Sequence, residues 1–230
     1  MAICIIIPAF NAEKTISGVA REAVETGLPL LVVDDGSSDL TAQSVRELPL
    51  TLISHPENRG KGAALRTGFE WALANGFTGV VTLDADGQHE VAAVSLLAET
   101  ARAGAIDIVI ASRYTQFQEM AGLRSSWNRF GVWCMRKRTG LLISDSQSGF
   151  RYYSAALLRQ VKLETDGYNM EMEVLLKAWR GGFVIGSLPI AARIADGRST
   201  SHYRPVRDTW NICMTFLRYM WGEPCQRDAR

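Results

Sequence analysis

Most of what would direct this chain toward a polymer, a thiolate metal site or a bilayer-spanning role is missing from it. Basic and acidic residues nearly cancel, 25 against 24, so no global field points to nucleic acid or to an acidic polymer partner, and any electrostatic function must be local. The four cysteines, Cys4, Cys134, Cys213 and Cys225, are scattered without a C-x-x-C pair, and no histidine spacing joins them into a zinc site. They read as buried, reduced thiols. No run of about 18 uncharged apolar residues occurs, so no transmembrane helix is expected and any membrane contact is peripheral. The strand-like start at Ile3–Ile7 lacks the basic, long-apolar and small-residue regions of a signal peptide, which places the expected active domain in the cytoplasm. Repeats, low-complexity tracts and flexible linkers are absent too. The 230 residues, 47% of them hydrophobic, therefore fit one substantial core.

What is present is an alternation. Short apolar runs at Ile3–Ile7, Leu30–Val33, Leu50–Ser54, Gly79–Leu83 and Ile106–Ala111 read as strands. Between them, Ala12–Thr26, Thr41–Glu47, Gly62–Asn75 and Val91–Ala103 carry apolar residues at helical spacing. Strand-helix alternation is the signature of βαβ units on a mostly parallel α/β sheet. Ligands of such sheets sit beyond the carboxyl ends of the strands. That rule selects Pro8–Asn11, Asp34–Ser38, Asn58–Gly62, Asp84–Gln88 and Ser112–Arg113. Further on, Trp127–Lys137, Ala155–Val161 and Met170–Trp179 read as helices, Ser144–Gly149 as turns and Phe183–Pro189 as a strand.

Asp84 and Asp86 follow a buried-type strand with Ala85 between them and Gln88 two residues on. Two carboxylates and an amide oxygen at alternate positions can converge on Mg²⁺ or Mn²⁺, whose remaining positions take phosphate oxygens. A lone D-x-D of this kind also occurs as a turn or a helix cap; its register with the other strand-end loops favours the metal reading. After the second strand Ser38 and Asp39 suit capping, which leaves Asp35 for a ribose hydroxyl or a base N–H. Asn58-Arg59-Gly60-Lys61-Gly62 opens a helix with glycines and two cations, suiting the close approach of a nucleotide. It is neither a Walker A loop nor a dinucleotide fingerprint.

The stretch from Arg113 to Arg138 holds six basic residues against the single acid Glu119, and Arg193, Arg198, Arg204 and Arg207 follow later. A solvated face accounts for Arg136–Arg138, while arginines near strand ends suit a second anion besides a diphosphate. The last helical pattern, Asp208–Trp221, confines Asp208, Asn211, Thr215 and Arg218 to one narrow polar stripe. Such a helix wants burial on most sides, either in a core or dimer, or in the plane of a membrane. Both accounts stay open on the sequence.

Together the segments Ile7-Pro8-Ala9-Phe10-Asn11, Val33-Asp34-Asp35-Gly36-Ser37, Asn58-Arg59-Gly60-Lys61-Gly62, Leu83-Asp84-Ala85-Asp86-Gly87-Gln88-His89, Ser112-Arg113 and Asp145-Ser146-Gln147-Ser148-Gly149-Phe150-Arg151 resemble glycosyltransferase family 2. The resemblance is in particular to its dolichol-phosphate mannosyltransferase-like branch. The resemblance implies a GT-A fold, assigned to residues 1–205; by their own pattern residues 206–230 form a C-terminal amphipathic helix and tail. It also implies an inverting transfer from a nucleoside-diphosphate sugar, GDP- or UDP-linked, with Mg²⁺ or Mn²⁺ as cofactor. By position, Pro8, Phe10 and Asp35 would contact the nucleoside, with Lys61 also on the donor side. Asp84, Asp86 and Gln88 would hold metal and diphosphate, Asp86 in a catalytic role. Arg113 and Arg124 would bind an acceptor phosphate and serve catalysis there, with Asn128 nearby; Arg193 and Arg198 would reach the phosphates from the C-terminal side. Two departures stand out: Ala12 then Glu13 where the family often has Glu directly after Asn, and Gly197-Arg198-Ser199-Thr200 in place of G-x-S-K.

The adjacent Glu-Asp pair that hydroxyl-acceptor relatives place as a base is missing from Asp166–Glu173. With the arginines, that favours a polyprenyl-phosphate acceptor, whose oxygen is already anionic. The helix at 208–221 would then hold the domain peripherally on the inner face of the membrane. The rival is a hydroxyl acceptor with Glu171 or Glu173 as base. A sugar nucleotidyltransferase is disfavoured because Pro8-Ala9-Phe10-Asn11 stands where its glycine-rich loop would be, and a non-catalytic module because the acidic loop is intact.

Overall fold

The computed structural model describes residues 2–88, 90–112, 133, 135–141, 143, 145–146, 148–190 and 204–220. Seven strands form one sheet: β1 (Ile3–Ala9), β2 (Leu30–Asp34), β3 (Thr51–Ser54), β4 (Gly79–Thr82), β5 (Ile108–Ser112), β6 (Arg151–Ser154) and β7 (Ile185–Pro189). Their order is β3-β2-β1-β4-β6-β5-β7. All neighbours pair in parallel except β6, which runs antiparallel to both β4 and β5. The helices are α1 (Ile16–Glu25), α2 (Lys61–Ala74), α3 (Ala93–Ala103), α4 (Ala155–Gln160), α5 (Met170–Arg180) and α6 (Pro205–Met220).

Side chains on a strand alternate between faces, and both faces of this sheet are covered. Ile5, Ile7, Val32, Val81 and Tyr152 point to the face packed by α1 and α3, through Ile16, Val19, Val94 and Leu97. Cys4, Ile6, Val33, Val80 and Tyr153 point to the other, packed by Leu65 and Phe69 of α2, Leu157 of α4 and Leu175 of α5. Burial on both faces explains why β1 and β2 read as continuous apolar runs. It also keeps Cys4 fully buried, which pushes its thiol pKa up to about 12, as expected of an inert core cysteine.

The alternation expected through the first 110 residues is present, with one correction. The helix expected over Thr41–Glu47 is a single 3₁₀ turn, Gln43–Val45. Asp39 takes the backbone N–H groups of both Thr41 and Glu13, the Thr41 hydroxyl oxygen takes the N–H of Ala12, and Glu13 takes that of Leu40. Ser38 and Asp39 therefore bind the loops after β1 and β2 to one another instead of capping a helix, and such side-chain bonds compete with helix formation. In the second half the sequence pattern missed β6, a four-residue strand containing the buried Arg151. Of the helix expected at Trp127–Lys137, residues 133 and 135–137 are described, and they are helical.

The start of α2 decides where α5 lies. The N–H groups of Gly62 and Ala63 both donate to the Asp166 carbonyl, at 2.6 and 3.2 Å. Gly60 adopts a φ of 99°, in the region open to glycine. A methyl group on Gly62 would lie 2.5 Å from the Thr165 carbonyl oxygen. The glycines of this loop thus admit the chain's own backbone. Gly18, on α1, has nothing within 4 Å of such a methyl group. Gly62→Ala should cost about 2 kcal/mol through overpacking, whereas Gly18→Ala should gain up to about 1 kcal/mol from helix propensity. Urea denaturation midpoints moving in opposite directions would bear this out; equal shifts would refute it.

Candidate active site

The carboxyl ends of β1, β2 and β4 open onto a cleft of about 420 Å³. It lies where the strand order reverses around β1, the switch point at which open α/β sheets bind ligands. Pro8 enters from the end of β1 and Phe10 from the loop that follows it, Asp35 from the loop after β2, Lys61 from the first turn of α2, and Asp84, Asp86 and Gln88 from the loop after β4. All seven were selected on the sequence, and the fold brings them to one wall system. Arg113, Arg124, Arg193 and Arg198, with Asn128, lie outside the described residues. The cleft also contains Tyr168 and Glu171 at the start of α5, and Arg204, Arg207 and Asp208 at the start of α6. The sequence had marked Glu171 only as a base for a hydroxyl acceptor and the two arginines only as part of a basic stretch; Tyr168 carried no signal.

Asp84 sits at the centre. Lys61 Nζ lies 2.7 Å from Asp84 Oδ1 and 2.7 Å from Glu171 Oε1, so one ammonium bridges the ends of three separate elements. Burial alone would push the Lys61 pKa down; the charges of Asp84 and Glu171, and their hydrogen bonds, more than offset it and hold the group well above its ordinary value. The carboxylate of Asp84 lies against the α-carbon of Gly149, where a methyl group would stand 2.5 Å from both of its oxygens. Gly149 is itself fixed by the buried Thr82 hydroxyl, which donates to its carbonyl at 2.7 Å. The Ser-Gly pair in the second half of the sequence is therefore the backing of the acidic loop. Asp86 Oδ1 takes the Gln88 N–H at 3.0 Å, closing that loop into an Asx turn.

Asp35 is 2% exposed and heavily engaged. Its Oδ1 meets His55 Nδ1 at 2.6 Å and the Arg59 N–H at 3.1 Å, while Oδ2 takes the Gly60 N–H at 2.7 Å. His55 continues to the Thr67 hydroxyl at 3.0 Å. Asp35 thus lines the cleft and at the same time anchors the loop that carries Lys61.

Arg151, fully buried, performs the matching task on the other side. Its guanidinium donates to the carbonyls of Ser148 at 2.6 Å, Ser146 at 2.8 Å and Glu171 at 2.9 Å, clamping the loop behind Asp84 to the first turn of α5. Three fixed acceptors suit the rigid donor fork of arginine. The two candidate bases part company here. Glu171 faces the cleft. Glu173, fully buried, takes the N–H groups of Glu164 and Thr165, the Thr165 hydroxyl and the Lys177 ammonium, so it is a structural anchor.

Among the described residues no group of three or more His, Cys, Asp or Glu side chains gathers into a metal cluster. A hard cation shared with a ligand needs fewer protein donors, because phosphate oxygens complete its shell. Asp84, Asp86 and Gln88 line one cleft as an all-oxygen donor set. That set fits Mg²⁺ or Mn²⁺.

The family model for glycosyl transferase family 2 matches residues 4–166. Undecaprenyl-phosphate mannosyltransferase of Micrococcus luteus is 31% identical over 204 residues, covering 83% of this chain and 83% of that protein. The UDP-N-acetylglucosamine–dolichyl-phosphate N-acetylglucosaminyltransferase of Methanococcus voltae is 29% identical over 211 residues, covering 82% of this chain and 84% of that protein. Among solved structures, glucosyl-3-phosphoglycerate synthase from Mycobacterium tuberculosis, crystallised with Mn²⁺, UDP and phosphoglyceric acid, superposes with a TM-score of 0.74 over 97% of this chain and 80% of that one. Its sequence identity is 22%. The shared architecture is the GT-A fold.

Glu173 provides a pH-dependent check on the site's scaffold. Burial would raise its pKa, but the bonds from Lys177, Thr165 and the neighbouring N–H groups hold it below the ordinary glutamate value. A depressed folded-state pKa contributes stability above the unfolded value of about 4.3, and that stability is lost as pH falls through the folded pKa. Glu173→Gln should therefore cost about 3 kcal/mol near neutrality and flatten the acid limb of stability below about pH 4.3. Denaturation curves across that range measure both, and an unchanged acid limb would refute the assignment.

Proposed function

The chain belongs to glycosyl transferase family 2, and on that premise we propose that it transfers a sugar, with inversion, from a GDP- or UDP-linked donor to a polyprenyl phosphate at a membrane surface. The observation that carries this reading is a single cleft whose floor is the acidic loop and whose rim is the start of α6. The outward face of that helix is apolar: Trp210 is 65% exposed, Met214 46% and Leu217 47%. The names of the two relatives support the acceptor class, since they differ in sugar and share a polyprenyl-type phosphate.

On the donor side, Pro8 and Phe10 offer an apolar edge to the nucleoside, and Asp35 holds the loop beneath it. Asp84, Asp86 and Gln88 would hold Mg²⁺ or Mn²⁺, which when bound neutralises the departing diphosphate. Lys61 adds a positive charge beside them, of the kind that stabilises a developing anion. An oxygen of the acceptor phosphate attacks the anomeric carbon as the bond from that carbon to the β-phosphate oxygen breaks, and the nucleoside diphosphate leaves with the electron pair. A phosphate acceptor is mostly dianionic near neutrality, with a second pKa of about 6, so no side chain need remove a proton. Arg113 and Arg124 are assigned to that phosphate, with Arg193 and Arg198 approaching from the C-terminal side. Arg204 and Arg207, on the cleft wall, join them as candidates.

Glu171 keeps the second reading in play, because its carboxylate faces the cleft as a base for a hydroxyl acceptor would. Its Oε1 already accepts a hydrogen bond from the Lys61 ammonium at 2.7 Å.

The sequence pattern had α6 wanting burial on most sides. It docks instead on one side, with Thr215 taking the Asn169 amide at 2.9 Å and the Tyr219 hydroxyl donating to Glu164 at 2.9 Å. Part of the polar stripe thus faces inward and an apolar ridge faces out, flanked by the exposed Arg207 and Arg218. No described helix is long and apolar enough to cross a membrane. A helix with this division suits lying in the interface, its arginines toward anionic headgroups.

Incubation of the protein with labelled GDP- or UDP-sugars, polyprenyl phosphate and Mn²⁺ should yield a lipid-linked sugar. Asp86→Ala should reduce it by at least about a hundredfold, and failure with every donor would sink the acceptor assignment. If Glu171→Gln abolishes turnover while Arg113→Ala preserves it, the hydroxyl reading takes its place. Replacing Trp210, Met214 and Leu217 together by serine should release the protein from anionic vesicles and leave transfer to a short, soluble prenyl phosphate intact. Undiminished vesicle binding would exclude this face as the membrane contact.

A further inference from the structure

Lys61 has a consequence for the order in which the cleft fills. Its ammonium occupies Asp84 Oδ1 at 2.7 Å, the carboxylate assigned to the divalent cation. Asp84 has little room to turn away, because its carboxylate is backed by the α-carbon of Gly149. Lys61 can nonetheless let go. It has a second carboxylate partner, Glu171, also at 2.7 Å, and its ammonium lies 5.5 Å from the centre of the Tyr168 ring. Glu171 is in turn held by the Arg151 clamp on its carbonyl and is only 5% exposed. An ammonium released from Asp84 would remain paired with Glu171, facing a cleft that receives a diphosphate.

We infer that Lys61 is an internal competitor for the metal position: it satisfies Asp84 while the cleft is empty, and yields it when a nucleoside diphosphate arrives with its cation. The inference rests on the metal-dependent donor site described above and extends it. Removing a direct ionic partner from Asp84 restores its full charge to an incoming cation. The diphosphate does the same for the wild-type protein by offering Lys61 another anion. Lys61 thereby couples donor binding to metal binding, so the cation is held weakly in the absence of nucleotide and firmly in its presence. This is a positioning role, exerted through Asp84, and it has a readout independent of turnover.

The test is Mn²⁺ binding followed by the electron paramagnetic resonance signal of the free ion, with and without saturating UDP or GDP. The informative protein is the double variant Lys61→Met/Glu171→Gln. It removes one positive and one negative group together, so the cleft keeps its net charge and no buried ion is left alone. Without nucleotide it should bind Mn²⁺ roughly tenfold or more tightly than wild type, and the gain on adding nucleotide should shrink by a similar factor. Lys61→Gln alone, which keeps a hydrogen-bond donor toward Glu171, should move in the same direction. Arg59→Met, which removes the exposed cation two residues away, should change Mn²⁺ binding little in the absence of nucleotide. Circular dichroism confirms that each protein is folded. Equal or weaker Mn²⁺ binding by the folded Lys61 variants without nucleotide overturns the inference, as does an equal gain in Arg59→Met. Absence of Mn²⁺ binding in every protein, with nucleotide present, overturns the metal-dependent reading itself and this inference with it.

Discussion

The first turn of α2 is capped by the chain's own backbone, and the rest of the site depends on that contact. Free N–H groups at a helix start are a natural seat for phosphate. Here the Asp166 carbonyl takes two of them, at 2.6 and 3.2 Å, through a gap that only glycine at position 62 leaves open. Arg66 reinforces the joint by donating to the Thr165 carbonyl at 2.6 Å and to the Asp166 carboxylate. From the other side Glu173 holds the N–H groups of Glu164 and Thr165. The segment entering α5 is thereby pinned at both ends, which brings Glu171 over Lys61.

Buried charge organises this cleft more than it stabilises the fold. Replacing a desolvated ion pair by well-packed apolar groups is often neutral or favourable, whereas removing one partner is costly. Lys61, Glu171, Glu173, Arg151 and Asp35 each make sense in that light, since every one fixes a loop or a helix start at the cleft. Asp35 and Arg151 are counterparts: an acid that gathers backbone N–H groups on the donor side and a guanidinium that gathers carbonyls behind the acidic loop. Neither requires a ligand for its bonds. The walls are therefore set before substrate arrives, which lowers the ordering cost of binding.

The helix α6 ties this cleft to the outside. Its first turn lines the cleft, its inward face joins α5 through Thr215 and Tyr219, and its outward face carries Trp210, Met214 and Leu217. In the proposed reaction a water-soluble sugar nucleotide and a lipid phosphate would meet at one place, and a helix that is cleft wall on one side and apolar ridge on the other suits both demands.

The sheet and its first four strand-end loops were legible in the sequence, because they rest on local signals. Doubly buried strands must be continuously apolar, helices between them must alternate, and small and acidic residues must stand where the strands stop. Asp84, Asp86, Gln88, Asp35, Phe10 and Pro8 were found that way. Thr41–Glu47 was misread because the bonds of Thr41 to Ala12 and of Asp39 and Leu40 to Glu13 reach across to another loop, and β6 was missed because Arg151 looks like a surface residue until three carbonyls surround it. The roles of Lys61 and Gly149 were out of reach for the same reason. Lys61 finds Glu171 at a separation of 110 residues, and Gly149 backs Asp84 only once β6 has inserted beside β4. Local polarity determined which residues would stand at the strand ends. Which charges are paired, and which glycines make room for chain or for carboxylate, was decided only by tertiary packing, because desolvation and close approach exist only between segments that folding has brought together.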